Sequence, residues 1–259
     1  MRNIIITRSF IFLNRKIKRL LLLLVTIFLC ARMMGETIIP DSISNPIRTG
    51  FHPDPSICRV GEDYYLVTSS FTWFPGLPIY HSRDLTNWSL IGHALTNPKA
   101  IDFNGMTDND GIWAPTLRYH NGTFYLITTA HGCGGNFYMT AKNPAGPWSD
   151  PVWLKDAPGI DPSLFFDEDG RCYYTGNRWD FKSTWPAQCA VWMQELDLQK
   201  GRLVGERKTL AYGHAANAKY AEGPHLYKID NRYLLLMAEG GSDYNHAVTA
   251  LTAKSLWGP

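Results

Sequence analysis

The sequence has almost none of the short motifs that announce a familiar reaction centre. No Cys-x-x-Cys pair, Cys/His ligand spacing or His-Glu-x-x-His run occurs, which argues against a zinc site. No Gly-x-Ser-x-Gly segment is present to raise a serine nucleophile on a sharp strand-to-helix turn. The glycine-rich stretch Gly132-Cys133-Gly134-Gly135 lacks the strand-to-helix setting of a phosphate loop. It is expected to be a mobile loop near a pocket mouth. Beyond residue 35 no helical apolar period of useful length can be found, so strands should make up about 40% of the chain and helices very little.

Charge is also scarce, at 19% of 259 residues, and the formal net charge of +2 misleads. Residues 1–35 carry seven basic side chains and no acid. The remainder therefore holds 18 basic against 23 acidic residues, a balance of −5. Such a balance excludes nucleic acid and anionic membranes as natural partners.

Residues 1–35 read as a signal peptide. The basic stretch Arg15 to Arg19 precedes an apolar run from Leu20 to Cys30, eleven residues long and too short to span a bilayer. Cleavage near Gly35 would leave residues 36–259 as the mature domain, secreted or periplasmic, with no stable membrane span. Lipid modification at Cys30 and a tethered signal anchor are the alternatives. Ile27, Phe28 and Leu29 are bulky where lipidation wants a small residue. Cys58, Cys133, Cys172 and Cys189 remain, and a domain of this size needs no disulfide staples, so free thiols are expected.

What the chain does contain is aromatic side chains, with 9 Trp, 13 Tyr and 12 Phe, and an internal repeat. Asp54-Pro55-Ser56-Ile57, Ala114-Pro115-Thr116-Leu117, Asp161-Pro162-Ser163-Leu164 and Gly223-Pro224-His225-Leu226 align in register. Each is followed by a second apolar stretch across a turn: Gly61-Glu62-Asp63, Asn121-Gly122, Glu168-Asp169-Gly170 and Asp230-Asn231. The prolines lie 60, 47 and 62 residues apart. More strand material follows in three units: Pro78–Ser82 leading into Asp84–Trp88, Tyr138–Ala141 leading into Pro144–Trp148, and Val248–Ala253. A hairpin with one or two outer strands per unit is the size of a β-propeller blade.

Propeller blades start their innermost strands at the same end of a central channel, so equivalent positions converge there. Asp54 and Asp161 stand one residue before their prolines, and Trp113 and Glu222 two before theirs. Three acids meeting in one small space oppose folding by raising one another's pKa. Glycosidic bond cleavage needs such a set: an acid that keeps its proton, a base that activates water, and a third group that tunes the acid.

His52-Pro53-Asp54-Pro55-Ser56, Gly111-Ile112-Trp113-Ala114-Pro115, Gly159-Ile160-Asp161-Pro162-Ser163-Leu164-Phe165 and Ala221-Glu222-Gly223-Pro224-His225 together resemble glycoside hydrolase family 43. Ser70-Phe71-Thr72-Trp73-Phe74-Pro75-Gly76-Leu77-Pro78-Ile79 is most similar to its β-xylosidase and α-L-arabinofuranosidase branch. The resemblance runs from about Asn45 to Pro259 and implies an all-β, five-bladed β-propeller, here truncated to about four blades. It implies Asp54 as general base, Glu222 as general acid and Asp161 as the group that orients the acid and tunes its pKa, in an inverting reaction. Phe71 and Trp113 match positions that shape the sugar pocket; Trp73 and Phe74 are weaker candidates. The substrate implied is a xylo- or arabino-oligosaccharide, and no cofactor is required.

The fifth repeat, which in the related β-xylosidases supplies a histidine and an arginine to the pocket, is not found, nor is the β-sandwich that commonly follows. His246 lies in the fourth repeat and is not that histidine. Many relatives hold a structural calcium in the channel; here its usual ligand would lie past Pro259. A chain ending at Pro259 is therefore expected to be unstable or inactive alone, and an inactive sugar-binding propeller is the alternative reading. The fructan-cleaving propellers fit less well: they carry Glu-Cys where this chain has Glu222-Gly223, and Asn before Asp-Pro where it has Pro53.

Overall fold

Four antiparallel sheets follow one another along the chain, each built from consecutive strands in meander order. The computed structural model describes residues 42–179 and 181–258; the signal segment lies outside them. Blade 1 comprises β1 (Ser56–Val60), β2 (Asp63–Val67), β3 (Gly76–Ser82) and β4 (Ser89–Leu95). Blade 2 comprises β5 (Gly111–His120), β6 (Thr123–His131), β7 (Gly135–Ala141) and β8 (Val152–Trp153). Blade 3 comprises β9 (Ser163–Phe166), β10 (Cys172–Arg178), β11 (Ala190–Asp197) and β12 (Arg202–Ala211). Blade 4 comprises β13 (Glu222–Ile229), β14 (Arg232–Glu239) and β15 (Ala247–Ala253). No helix occurs among the described residues, and none there is long and apolar enough to cross a membrane.

The arrangement is that of propeller blades. Innermost strands β1, β5, β9 and β13 lie each against the next. Between consecutive blades sits one apolar core. Leu77, Ile79, Leu117 and Leu126 pack blade 1 on blade 2. Ile127, Leu164, Tyr174 and Trp192 pack blade 2 on blade 3, and Phe165, Tyr173, Val191 and Met193 pack blade 3 on blade 4. The period-2 alternation of strands produces this division: adjacent residues such as Leu164 and Phe165 serve opposite interfaces. Leu164 and Trp192 have no exposed surface, so truncating either to alanine should cost about 3–5 kcal/mol.

The hairpin turns fall where expected. Asn121 and Gly122 (φ 47° and 73°) and Asp230 and Asn231 (φ 49° and 60°) both adopt the left-handed pairs that match strand twist. Two expectations change. Gly132–Gly135 is no open loop but a tight turn between β6 and β7, closed by the Cys133 amide on the Ala130 carbonyl and backed by the Trp153 ring. Asp84–Trp88 is also a turn: the Asp84 carboxylate accepts the Thr86 and Asn87 amides, and the strand resumes at Ser89. All four described cysteines are free thiols.

Candidate active site

The residue before each repeat proline has a left-handed backbone: Asp54 φ 52°, Ala114 φ 42°, Asp161 φ 56° and Gly223 φ 56°. Proline already bars its predecessor from the helical region, and the left-handed region costs a non-glycine residue roughly 1–2 kcal/mol. Three repetitions of that cost, with a glycine at the fourth position, mark a built feature at one end of the sheets.

In blades 1 and 3 the aspartate itself takes this conformation, just outside the sheet. The Ser69 amide bonds the carbonyl of Pro53 (3.1 Å), and the Asn177 amide bonds the carbonyl of Ile160 (3.1 Å), the residue preceding each aspartate. Ser69 Oγ donates to Asp54 Oδ2 at 2.5 Å and accepts the Ala114 amide at 2.7 Å, tying the carboxylate to blade 2. Asn177 Oδ1 accepts the Ile160 amide at 3.0 Å. Gly159 permits this approach, because a Cβ there would lie 1.7 Å from the Asn177 carbonyl oxygen. Asp161 Oδ2 accepts the Gly223 amide of blade 4 at 3.2 Å.

In blades 2 and 4 the strand starts earlier and crosses a bulge at the proline, between Trp113 and Thr116 and between Glu222 and His225. Trp113 and Glu222 therefore sit inside the ladder, re-aimed by the bulge. The segment before Glu222 is tied by the Tyr220 amide on the Ala187 carbonyl (2.9 Å) and the Gly240 amide on the Lys219 carbonyl (2.8 Å). Below it, buried Glu239 accepts the amides of His214 and Ala215 at 2.6 and 3.2 Å.

The three acids sense one another. Burial, then the charges of Glu222 and Asp54, push the Asp161 carboxyl up to about 8. Glu222 is also raised, by burial and by Asp54, with His246 pulling the other way. Asp54 is more exposed and hydrogen-bonded.

Trp113 lies between fixed partners. Its Nε1 donates to the Asn109 carbonyl (2.8 Å), and its carbonyl accepts Thr128 Oγ1 (2.6 Å). One face is covered by His131, stacked at 3.8 Å and 6°. Asp110 bonds His131 Nδ1 at 3.0 Å and accepts the Thr107 amide and hydroxyl. Phe71 (φ 49°) pairs with Ile112 through both backbone bonds at 3.0 Å and stacks on Phe51. Gly111 makes room, since a Cβ there would meet the Phe71 carbonyl. Trp73 is 65% exposed on the same β2–β3 loop, and Phe74 45%. Sequence reasoning missed His131 and set His246 aside. The first is separated from Trp113 by 18 residues, and only the β5–β6 register brings it back.

Three residues along β5 from Pro115, Arg118 crosses the channel. It donates to the Leu164 carbonyl of blade 3 (3.1 Å) and to His225 Nδ1 of blade 4 (3.0 Å) and lies over the Tyr227 ring. Burial and Arg118 hold His225 down at about 3, so it is neutral and accepts. No group of three or more His, Cys, Asp or Glu side chains able to hold a metal occurs among the described residues.

The family model for glycosyl hydrolases family 43 matches residues 43–259. A xylosidase/arabinosidase of Butyrivibrio fibrisolvens is 48% identical over 221 residues, covering 83% of this chain and 42% of the relative. A non-reducing end α-L-arabinofuranosidase of Bacteroides ovatus is 45% identical over 245 residues, covering 93% of this chain and 43% of its own length. The crystal structure of a xylan β-1,4-xylosidase from Bacillus halodurans C-125 superposes with a TM-score of 0.77 at 47% identity, covering 84% of this chain and 42% of that one. The chain thus spans less than half the length of these relatives, and over that span, from the first repeat to the fourth, it is a member of glycosyl hydrolases family 43.

Proposed function

We propose that this protein is an exo-acting, inverting glycosidase that releases terminal xylose or arabinose from xylan-type oligosaccharides outside the cytoplasm. The observation that carries the reading is the coupled trio of carboxyl groups, with Asp161 pushed up to about 8 by burial, Glu222 and Asp54. The names of the relatives, xylosidase and arabinofuranosidase, support the sugar class.

In this scheme Asp54, the more solvated carboxylate, takes a proton from water as that water attacks the anomeric carbon. The bond to the leaving oxygen breaks, and Glu222 delivers its proton to that oxygen. Asp161, tied to the Gly223 amide beside Glu222, keeps the acid oriented, while burial and the Asp54 charge hold the Glu222 carboxyl up. The open face of Trp113, with Phe71 at the side, receives the apolar face of the terminal sugar. The scheme calls for no cofactor.

Hydrolysis of an aryl β-xyloside and an aryl α-arabinofuranoside tests it. Glu222→Ala should lose far more activity on xylobiose than on an aryl glycoside whose leaving group needs no proton. Asp54→Asn should lose both. Proton NMR of the first-formed sugar should show the inverted anomer. A retained anomer sinks the mechanism. Binding of xylo-oligosaccharide without turnover, unchanged in Asp54→Asn, would instead indicate a sugar-binding propeller.

A further inference from the structure

One position on the second strand of each blade can be followed through all four repeats. Ser56 pairs with Val67 and Ser163 with Thr175, so Ser69 and Asn177, each two residues further on, are equivalent. By the same count blade 2 has Thr129 and blade 4 has Ala238. The backbone repeats as well: the Ser69 and Asn177 amides bond the carbonyls of Pro53 and Ile160, each just ahead of its aspartate. The side chains do different things. Thr129 Oγ1 donates to Asn136 Oδ1 at 2.7 Å, and Ala238 has nothing to donate. Asn177 spends its Oδ1 on the Ile160 amide at 3.0 Å. Of the four, Ser69 alone bonds a carboxylate, Asp54 Oδ2 at 2.5 Å.

The direction of that bond is fixed. A hydroxyl has one proton to give. The Ala114 amide 2.7 Å away is a donor, so Ser69 Oγ accepts there and its own proton is committed to Asp54. Oδ2 must then be a bare acceptor. The serine is itself pinned: it is buried, its amide is held by Pro53, and the next amide, that of Ser70, is held by the Ile112 carbonyl at 3.2 Å. Asp54 is also set from the backbone side, at φ 52° ahead of a proline. With Oδ2 engaged, Oδ1 is the oxygen that carries no hydrogen bond to a described residue. A base works only when the oxygen taking the proton lies along the path of the water, and an error of about 1 Å there can cost about 100-fold in rate. Blade 3 is arranged the other way. No described side chain donates to Asp161, whose Oδ2 accepts the Gly223 amide at 3.2 Å. A carboxyl that tunes its neighbour must be able to keep a proton, which a committed hydroxyl in the manner of Ser69 would oppose.

We infer that Ser69 is the positioning residue of the general base: its hydroxyl pins Asp54 through Oδ2 and leaves Oδ1 for the attacking water. The Ser69/Asn177 difference at one repeat position thereby separates the tasks of two aspartates that share the same strained corner. This rests on the function proposed above, which makes Asp54 the base.

The test is a double-mutant cycle on an aryl β-xyloside, with kcat and KM measured for Ser69→Ala, Asp54→Asn and the two combined. Ser69→Ala should lower kcat about 10- to 100-fold and leave KM within about 2-fold. Added to Asp54→Asn it should lower kcat no further, because the carboxylate it aims is gone. Xylobiose affinity of Ser69→Ala, read by calorimetry, should also stay within about 2-fold of wild type, which separates aiming from a collapsed pocket. Ser69→Thr, which keeps the hydroxyl, should recover most of kcat. An unimpaired kcat in Ser69→Ala overturns the assignment, as does a multiplicative loss in the double variant. Weakened xylobiose binding that accounts for the lost rate overturns it too, and so does a Thr variant as slow as the Ala variant. Asp54→Asn with wild-type kcat would instead strike the catalytic reading itself, whereas a slow Asp54→Asn beside a fast Ser69→Ala strikes the role of Ser69 alone.

Discussion

Blades 1 and 3 reach the channel by a different route from blades 2 and 4. In the odd blades an aspartate occupies the strained position before proline, outside the ladder, and the residue after the proline is a buried serine. Ser56 Oγ accepts the Leu117 amide of blade 2, and Ser163 Oγ donates to the Pro224 carbonyl of blade 4. In the even blades the strained position is taken by a small residue, Ala114 or Gly223, and Trp113 or Glu222 sits one residue earlier, aimed by a bulge. Each odd blade is thus stitched to the even blade after it. A short acid on a strained corner and a longer side chain on a bulge reach the same space. Even within the odd pair the settings differ: Asp54 has a hydroxyl donor and solvent, whereas Asp161 is desolvated and has the Gly223 amide.

The largest expected effects come from removing the acids that this arrangement brings together. Asp54→Asn and Glu222→Ala should each lower kcat on xylobiose by about 10²–10⁴-fold, measured by sugar release. Asp161→Asn probes the contrast within the odd pair through stability. Burial and the neighbouring acids push the folded carboxyl up to about 8 against an ordinary value of 3.8. Between those values the unfolded chain has already given up the proton that the fold retains, so wild-type stability falls as pH rises. Asp161→Asn removes that slope, and its gain in Tm over wild type should grow from pH 5 to pH 8. A gain independent of pH would show that Asp161 is not held protonated.

Smaller effects test the stitching. Ser163→Ala leaves the buried Pro224 carbonyl without its 2.5 Å donor, and Ser56→Ala strands the Leu117 amide. Each should cost about 1–3 kcal/mol in urea unfolding. The smallest change concerns the strained corners of the even blades. Gly223→Ala should lose about 1 kcal/mol at φ 56°, while Ala114→Gly, at φ 42°, should be neutral or slightly stabilising. Equal losses in both would mean that the backbone conformation is not what selects these residues.

The repeat and its acids were legible because proline, acid and turn residues recur in register and each has a local physical meaning. The bulges were not, since nothing in Trp113-Ala114-Pro115 distinguishes a strand that begins after proline from one that runs through it. The outer strands of blade 3 were also missed. Strand β11 is buried on both sides at its start, so it lacks alternation, and β12 carries Arg202, Glu206, Arg207 and Lys208 in no regular pattern. His131 and His246 become neighbours of Trp113 and Glu222 only through strand register: Gly111 faces His131, and Glu239 faces Ala247, next to His246. Pairing of that kind is a property of the assembled sheet.

Arg118 has a consequence for alignment. By reaching from one blade to the two that follow, it clasps the inner strands about 10 Å down from Pro115 at 3.3 Å per residue. The strands that lead out from Asp161 and Glu222 are thereby keyed to blade 2 as well as to each other.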